Sequence, residues 1–110
     1  TFLFLVKDVT EARGGWDARI ASLAADCARY HIRLYGITAS GSDDMERFRQ
    51  IHRLTFPFLE MDATVIKTAA RTNPCLILLK NGTIEGKWSY LDMPEGAVPS
   101  ADRSRINFKF

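Results

Sequence analysis

The sequence has few of the residues on which common chemistry depends. Two cysteines, Cys27 and Cys75, stand far apart among 110 residues, and no CxxC occurs. That excludes a disulfide framework, and a metal or redox motif of the CxxC kind. Two histidines, His31 and His52, have no Cys, Asp or Glu at metal-ligand spacing. A zinc site needs three or four converging ligands, so no metal is expected. No apolar run approaches the ~18 residues of a membrane helix. TFLFLV at the start is short and lacks the basic flank and cleavage site of a signal peptide. Lys and Arg are scattered through a chain of net charge +2, and no block of them points to nucleic acid or a membrane surface. Gly14-Gly15 lies outside any GxxxxGK[ST] or GxGxxG context, so no phosphate loop is expected. Ser40 and Ser42 lack a sequence-evident His-Asp partner for nucleophilic catalysis. No cofactor is expected.

What is present is a core. Hydrophobic residues make up 46%, including seven Phe, three Tyr and two Trp, enough for one domain of this length. The chain starts in an apolar strand without Met, which suggests an excised domain or a processed chain.

The organising stretch is Thr72 to Trp88, TNPCLILLKNGTIEGKW. Leu76 to Leu79 is an unbroken apolar run, as in a strand covered on both faces. Asn81-Gly82 is a strong signal for a type I′ hairpin, whose two central residues need positive φ. Thr83 to Trp88 is the return strand. Pro74 cannot donate to a ladder and marks the strand's first residue. An X-Pro bond can also be cis at a cost of about 0.5–1 kcal/mol.

Earlier in the chain, Phe2 to Val6 is wholly apolar and belongs inside a sheet. Trp16 to Tyr30 reads as a helix. Trp16, Ile20, Leu23, Cys27 and Tyr30 form one apolar stripe, and Asp17, Arg19, Asp26 and Arg29 the solvated side. Ile32 to Thr38 is a second strand. Ser42 is placed to cap a helix with Asp43, Asp44 and Glu46 in its first turn, where the dipole favours them. Met45, Phe48, Ile51 and one of His52 or Leu54 make its buried stripe. Phe56 to Met61 is a short extended segment. Asp62 caps a short helix to about Arg71, with Val65, Ile66, Ala69 and Ala70 as its apolar side and Lys67 and Arg71 solvated. The order is β-α-β-α-β-α-β-β, with parallel crossovers and an antiparallel pair at the end. Pro94, Gly96 and Pro99 interrupt the remainder, so residues 94–110 are expected to be an irregular tail, although INFKF alternates like a strand.

A helix, X-Pro, a buried strand, an Asn-Gly turn and a second strand in this order resemble the C-terminal half of the thioredoxin fold. The longer phrase LKNGTIEGKW, preceded by an Asp-initiated helix ending in ARTNP, is similar to the thioredoxin-like domain at the C-terminal end of some bacterial DoxX-type membrane proteins. The resemblance spans residues 1–93. It implies a three-layer α/β/α domain whose mixed central sheet is closed by an antiparallel hairpin. It also implies a cis Asn73-Pro74 bond facing the loop Arg13 to Trp16, and a groove there for an extended protein or peptide partner. Arg13, Trp16, Asn73 and Pro74 are the binding-groove candidates on this basis, with Trp16 alternatively the first core residue of its helix. The full-length protein would be tethered to a membrane, on a side the sequence does not assign.

The chain departs from the family where its chemistry sits. The positions matching the family's CxxC are about Arg13-Gly14-Gly15-Trp16, and no cysteine occurs before Cys27. Dithiol exchange needs two nearby thiols, so a redox-inactive binding or regulatory module is expected. The rival is a one-cysteine thiol oxidoreductase or peroxidase-like enzyme using Cys75, which requires an accessible thiol. Both cysteines are expected to be core residues, Cys27 on the apolar stripe of its helix and Cys75 at the start of a buried strand, with the reactive Cys75 as the alternative. A third reading is a dimerisation domain joined through exposed strand edges at TFLFLV or INFKF.

Overall fold

The computed structural model describes residues 1–70 and 72–110. Five strands form one mixed sheet. They are β1 (Phe2–Val6), β2 (Leu34–Thr38), β3 (Phe58–Glu60), β4 (Cys75–Lys80) and β5 (Thr83–Ser89), in the order β3-β2-β1-β4-β5. β2 runs parallel to β1 and β3 parallel to β2, while β4 is antiparallel to β1 and to β5. Three helices connect them: α1 (Asp17–Arg29), α2 (Ser42–His52) and α3 (Ala63–Ala69).

The apolar β1 occupies the sheet's centre, with β2 on one side and β4 on the other. Its edge is therefore not free to pair with another chain. Strand side chains alternate between faces, and β1 divides accordingly. Phe2, Phe4 and Val6 enter the larger core with Leu76 and Leu78; Leu5 enters the smaller with Cys75 and Ile77, and the half-buried Leu3 and Leu79 pack against it. Each fully buried aliphatic or Phe side chain contributes about 1.5–3 kcal/mol, so both faces of β1 are anchored.

The α1 stripe is as the spacing predicts: Ile20, Leu23 and Cys27 are buried. Trp16 immediately precedes the helix and joins the same core. In α2 the stripe is narrower than expected. Phe48 is buried and His52 lies beside Trp16, but Ile51 is 68% exposed. One residue is a ~100° rotation on a helix, so the face that presents 48 and 52 to Trp16 turns 51 outward. Gly41, in extended conformation, takes the N-cap position; Ser42 is the first helical residue, and no side chain caps this helix. In α3, Asp62 accepts a bond from the Thr64 amide, as expected of a cap. Ile66 and Ala70 are buried while Val65 is exposed. Arg71 lies outside the described residues. This seven-residue helix leaves an apolar hollow of about 190 Å³ beside it, lined by Leu3, Leu5, Ile37 and Ile77 among others.

The segment from residue 94 is the largest departure from expectation. It is not irregular: β6 (Gly96–Pro99) and β7 (Ile106–Lys109) form a separate two-stranded antiparallel sheet. It packs on α1, where Asp26, expected on the solvated side, accepts a bond from the Ala97 amide at 3.0 Å. Phe108 sits against Phe2 and Trp88, and Met93 and Ala97 are fully buried. Pro99 ends its strand, where a missing donor is tolerated. The core therefore extends beyond residue 93.

The Asn81-Gly82 turn has φ of 51° and 78°, and Lys80 pairs with Thr83 across it. A β-branched residue at the first position would be forced into a left-handed conformation costing about 1–2 kcal/mol. Asn81→Val should lower the melting temperature by roughly 5–10 °C. An unchanged melting temperature would contradict this account of the turn.

Candidate functional site

The end of the sheet where β1 and β2 finish and β4 begins carries the candidate residues. β1 ends at Val6, and the connection to α1 runs through Lys7–Trp16. Such a loop has no ladder to satisfy its backbone groups, so something else must. Asn73 supplies much of it. Its Oδ1 accepts from the Lys7 amide at 3.0 Å, and its Nδ2 donates to the Asp8 carbonyl at 2.8 Å. Its own carbonyl accepts from the Arg13 amide at 2.8 Å. On the other side of the loop, Ser40 Oγ accepts from the Val9 amide at 3.2 Å, and Thr38, fully buried, accepts from the Ser40 amide. The Asn73–Pro74 peptide is cis, and Thr72 Oγ1 donates to the Pro74 carbonyl.

The four groove candidates are thus near one another but differ in what they present. Arg13 is exposed, as are Gly14 and Gly15 beside it. Asn73 is half-buried and its polar atoms are engaged within the chain. Pro74 is buried. Trp16 is fully buried, in ring contact with Phe4 at 4.9 Å and Phe48 at 5.8 Å, and its indole N–H bonds the Arg13 carbonyl. It is the first core residue of its helix and offers no aromatic surface.

One contact at this end was beyond sequence reasoning. His52 Nδ1 pairs with Asp17 Oδ2, joining the end of α2 to the start of α1, and the ring lies 4.7 Å from Trp16 and 4.4 Å from Phe48. The partners are 35 positions apart. The apolar stripe of α2 was the only available signal, since it left His52 or Leu54 to close it. Outside this pair, a hollow of about 180 Å³ lies between the loop and α2, lined by Val9, Thr10, Asp44, Arg47, Phe48 and Ile51. Among the described residues no group of three His, Cys, Asp or Glu could hold a metal ion.

The thiols are in the interior: Cys27 is 2% exposed and Cys75 1%. Cys75 belongs to the small core under α3, and Cys27 to the large one under α1. Burial, with the neighbouring Asp26 carboxylate adding to it, pushes the Cys27 thiol up from 9.0 to about 11. Among the described residues no helix is long and apolar enough to cross a membrane.

Comparison of the chain with protein-family models, with curated proteins and with solved structures finds no match.

In a thiol assay both cysteines should react with a small disulfide reagent at least about a hundredfold more slowly folded than unfolded, because reaction waits on opening. Rapid native labelling of Cys75 would reinstate the one-cysteine enzyme. The sign of the pH effect is set by the raised Cys27 value. The neutral thiol is retained in the fold, while the unfolded chain titrates near 9.0. The contribution to stability is complete below pH 9 and is lost as pH rises toward about 11.

Proposed function

We propose that the chain is a redox-inactive thioredoxin-like domain that acts as a protein-binding or regulatory module. The observation that carries this reading is the set of bonds from Asn73 to Lys7, Asp8 and Arg13. At the place where the resemblance locates a dithiol, the loop contains no cysteine and is held shut by the residue before Pro74. The strand order supports the same reading: a central β1 has a parallel neighbour on one side and the antiparallel β4-β5 pair on the other. Burial of Cys75 weighs against the enzyme alternative.

A partner at this end meets the exposed Arg13–Gly15 segment and the hollow between the same loop and α2, in which Phe48 is the buried wall, Ile51 the exposed one, and Asp44 and Arg47 the charged ones. An exposed cation on the loop that also walls a mainly apolar recess suits an extended peptide bearing an acidic and an apolar residue. The membrane tether, through a DoxX-type protein, rests on the LKNGTIEGKW resemblance alone.

Selection of peptides from a display library on the immobilised chain tests the module. The expected binders lose about tenfold in affinity, or ~1.4 kcal/mol, with Arg13→Glu and with Ile51→Glu. Both positions are exposed, so either variant should fold. A selection that returns no binder, or only binders indifferent to both substitutions, would overturn the reading.

A further inference from the structure

The opposite end of the sheet gathers positive charge that is dispersed in the sequence. β1 begins there, and its Phe2 amide bonds the Arg33 carbonyl, which places the entrance of β2 alongside. The β4-β5 turn reaches the same end, as the Leu79 amide bonds the Thr1 carbonyl. The β6-β7 turn closes over it: Lys80 Nζ donates to the Ser104 carbonyl at 2.7 Å, and the Arg103 guanidinium to the Tyr30 carbonyl at 2.9 Å. Two adjoining hollows result. One, of about 420 Å³, has Lys80, Arg103 and Arg105 in its wall; the other, of about 250 Å³, has His31, Arg33 and Arg103. Thr1, Arg103 and Ile106 line both.

The charge there is unbalanced. Among the described residues Glu85 is the one carboxylate in either wall. Asp102, in the β6-β7 turn, is a second anion close by, its Oδ1 accepting from the Ser100 and Ser104 hydroxyls and the Ser104 amide, so two carboxylates stand against Arg33, Lys80, Arg103 and Arg105. Among the described residues the ion pairs are Arg47–Asp44, Arg49–Glu46 and His52–Asp17, and none involves Arg33, Lys80, Arg103 or Arg105. Lys80 and Arg103 are fixed by carbonyls yet keep spare donors, since an ammonium has three and a guanidinium five. Cations held in place lose less rotamer freedom on binding. Guanidinium forks match phosphate oxygens in pairs, and the larger hollow accommodates such a group.

We propose that this basic end is a binding site for a phosphate-bearing anion, held by Lys80, Arg103 and Arg105 in the larger hollow, with Arg33 reaching it from the adjoining one. The site is independent of the Asn73 end. The same chemistry is offered by a soluble phosphate compound and by the headgroup of an anionic phospholipid.

The test uses the chain itself with two probes. One is inorganic pyrophosphate, followed by chemical-shift titration at low and high salt. The other is vesicle co-sedimentation, with phosphatidylglycerol and phosphatidylcholine in equal parts against phosphatidylcholine alone. The variants are Arg33→Glu with Arg105→Glu and, as a control of equal charge change, Lys67→Glu with Lys87→Glu; all four positions are exposed. Salt-sensitive pyrophosphate binding without vesicle association supports a soluble phosphate ligand. Association with the anionic vesicles only supports a lipid headgroup. In either case the arginine pair should weaken binding by at least about tenfold and the lysine pair should leave it within a factor of about two. Binding of neither probe, or equal losses in both variants, would overturn the proposal.

Discussion

One asparagine side chain organises the end of the sheet where a partner would act. The Lys7–Trp16 connection leaves the central strand with amides and carbonyls that no neighbouring strand can satisfy, and Asn73 answers three of them, two through its side chain and one through its main-chain carbonyl. An amide is suited to this because it carries a donor and an acceptor on one planar group. Each such bond contributes only about 0.5–1.5 kcal/mol net, but leaving a partner buried and unpaired costs about 1–3 kcal/mol. The contacts therefore fix the loop's conformation more than they add to total stability. They also use one lone pair of the carbonyl ahead of Pro74.

The rest of the fold supplies the platform. β1 is apolar at every position because it is covered on both sides, by α1, α2 and the β6-β7 hairpin on one face and by α3 on the other. Trp16 is the junction between platform and loop. Its ring lies in the large core, and its N–H returns to the loop at Arg13. The His52–Asp17 pair then fastens α2 across the same ring. Close packing extends to the edge strand: a Cβ at Gly36 would overlap the Phe58 ring, so a side chain there would have to displace that ring.

Local rules made most of the sheet legible. The apolar runs at Phe2–Val6 and Leu76–Leu79, the Asn-Gly turn and the Ile20–Leu23–Cys27 spacing each need only a short window of sequence. What they could not convey is orientation and long-range pairing. Ile51 and Val65 fit an apolar stripe yet face outward, since the width of a stripe depends on what packs against it. The segment after Met93 was obscured by Pro94, Gly96 and Pro99, and its order comes from Asp26 and Phe2, about 70 to 100 positions away in the chain. At the site, Asn73, Pro74 and Arg13 were placed together by resemblance and lie together, but which of their atoms are engaged depends on loop geometry. The basic end was invisible for the same reason. Residues 33, 80, 103 and 105 form no run and meet only through three separate turns.

The most direct measurement is native-state amide hydrogen exchange at Lys7 and Arg13, in the wild type and in Asn73→Ala. Both amides should be protected in the wild type. In the variant, Lys7 should exchange at least about tenfold faster, having lost the Oδ1 acceptor, while amides in the middle of β1 and β4 keep their protection. Exchange of Lys7 and Arg13 in the wild type at the rate of the exposed Gly14 amide would contradict it. The loop would then be open, and Asn73 would not be what holds it.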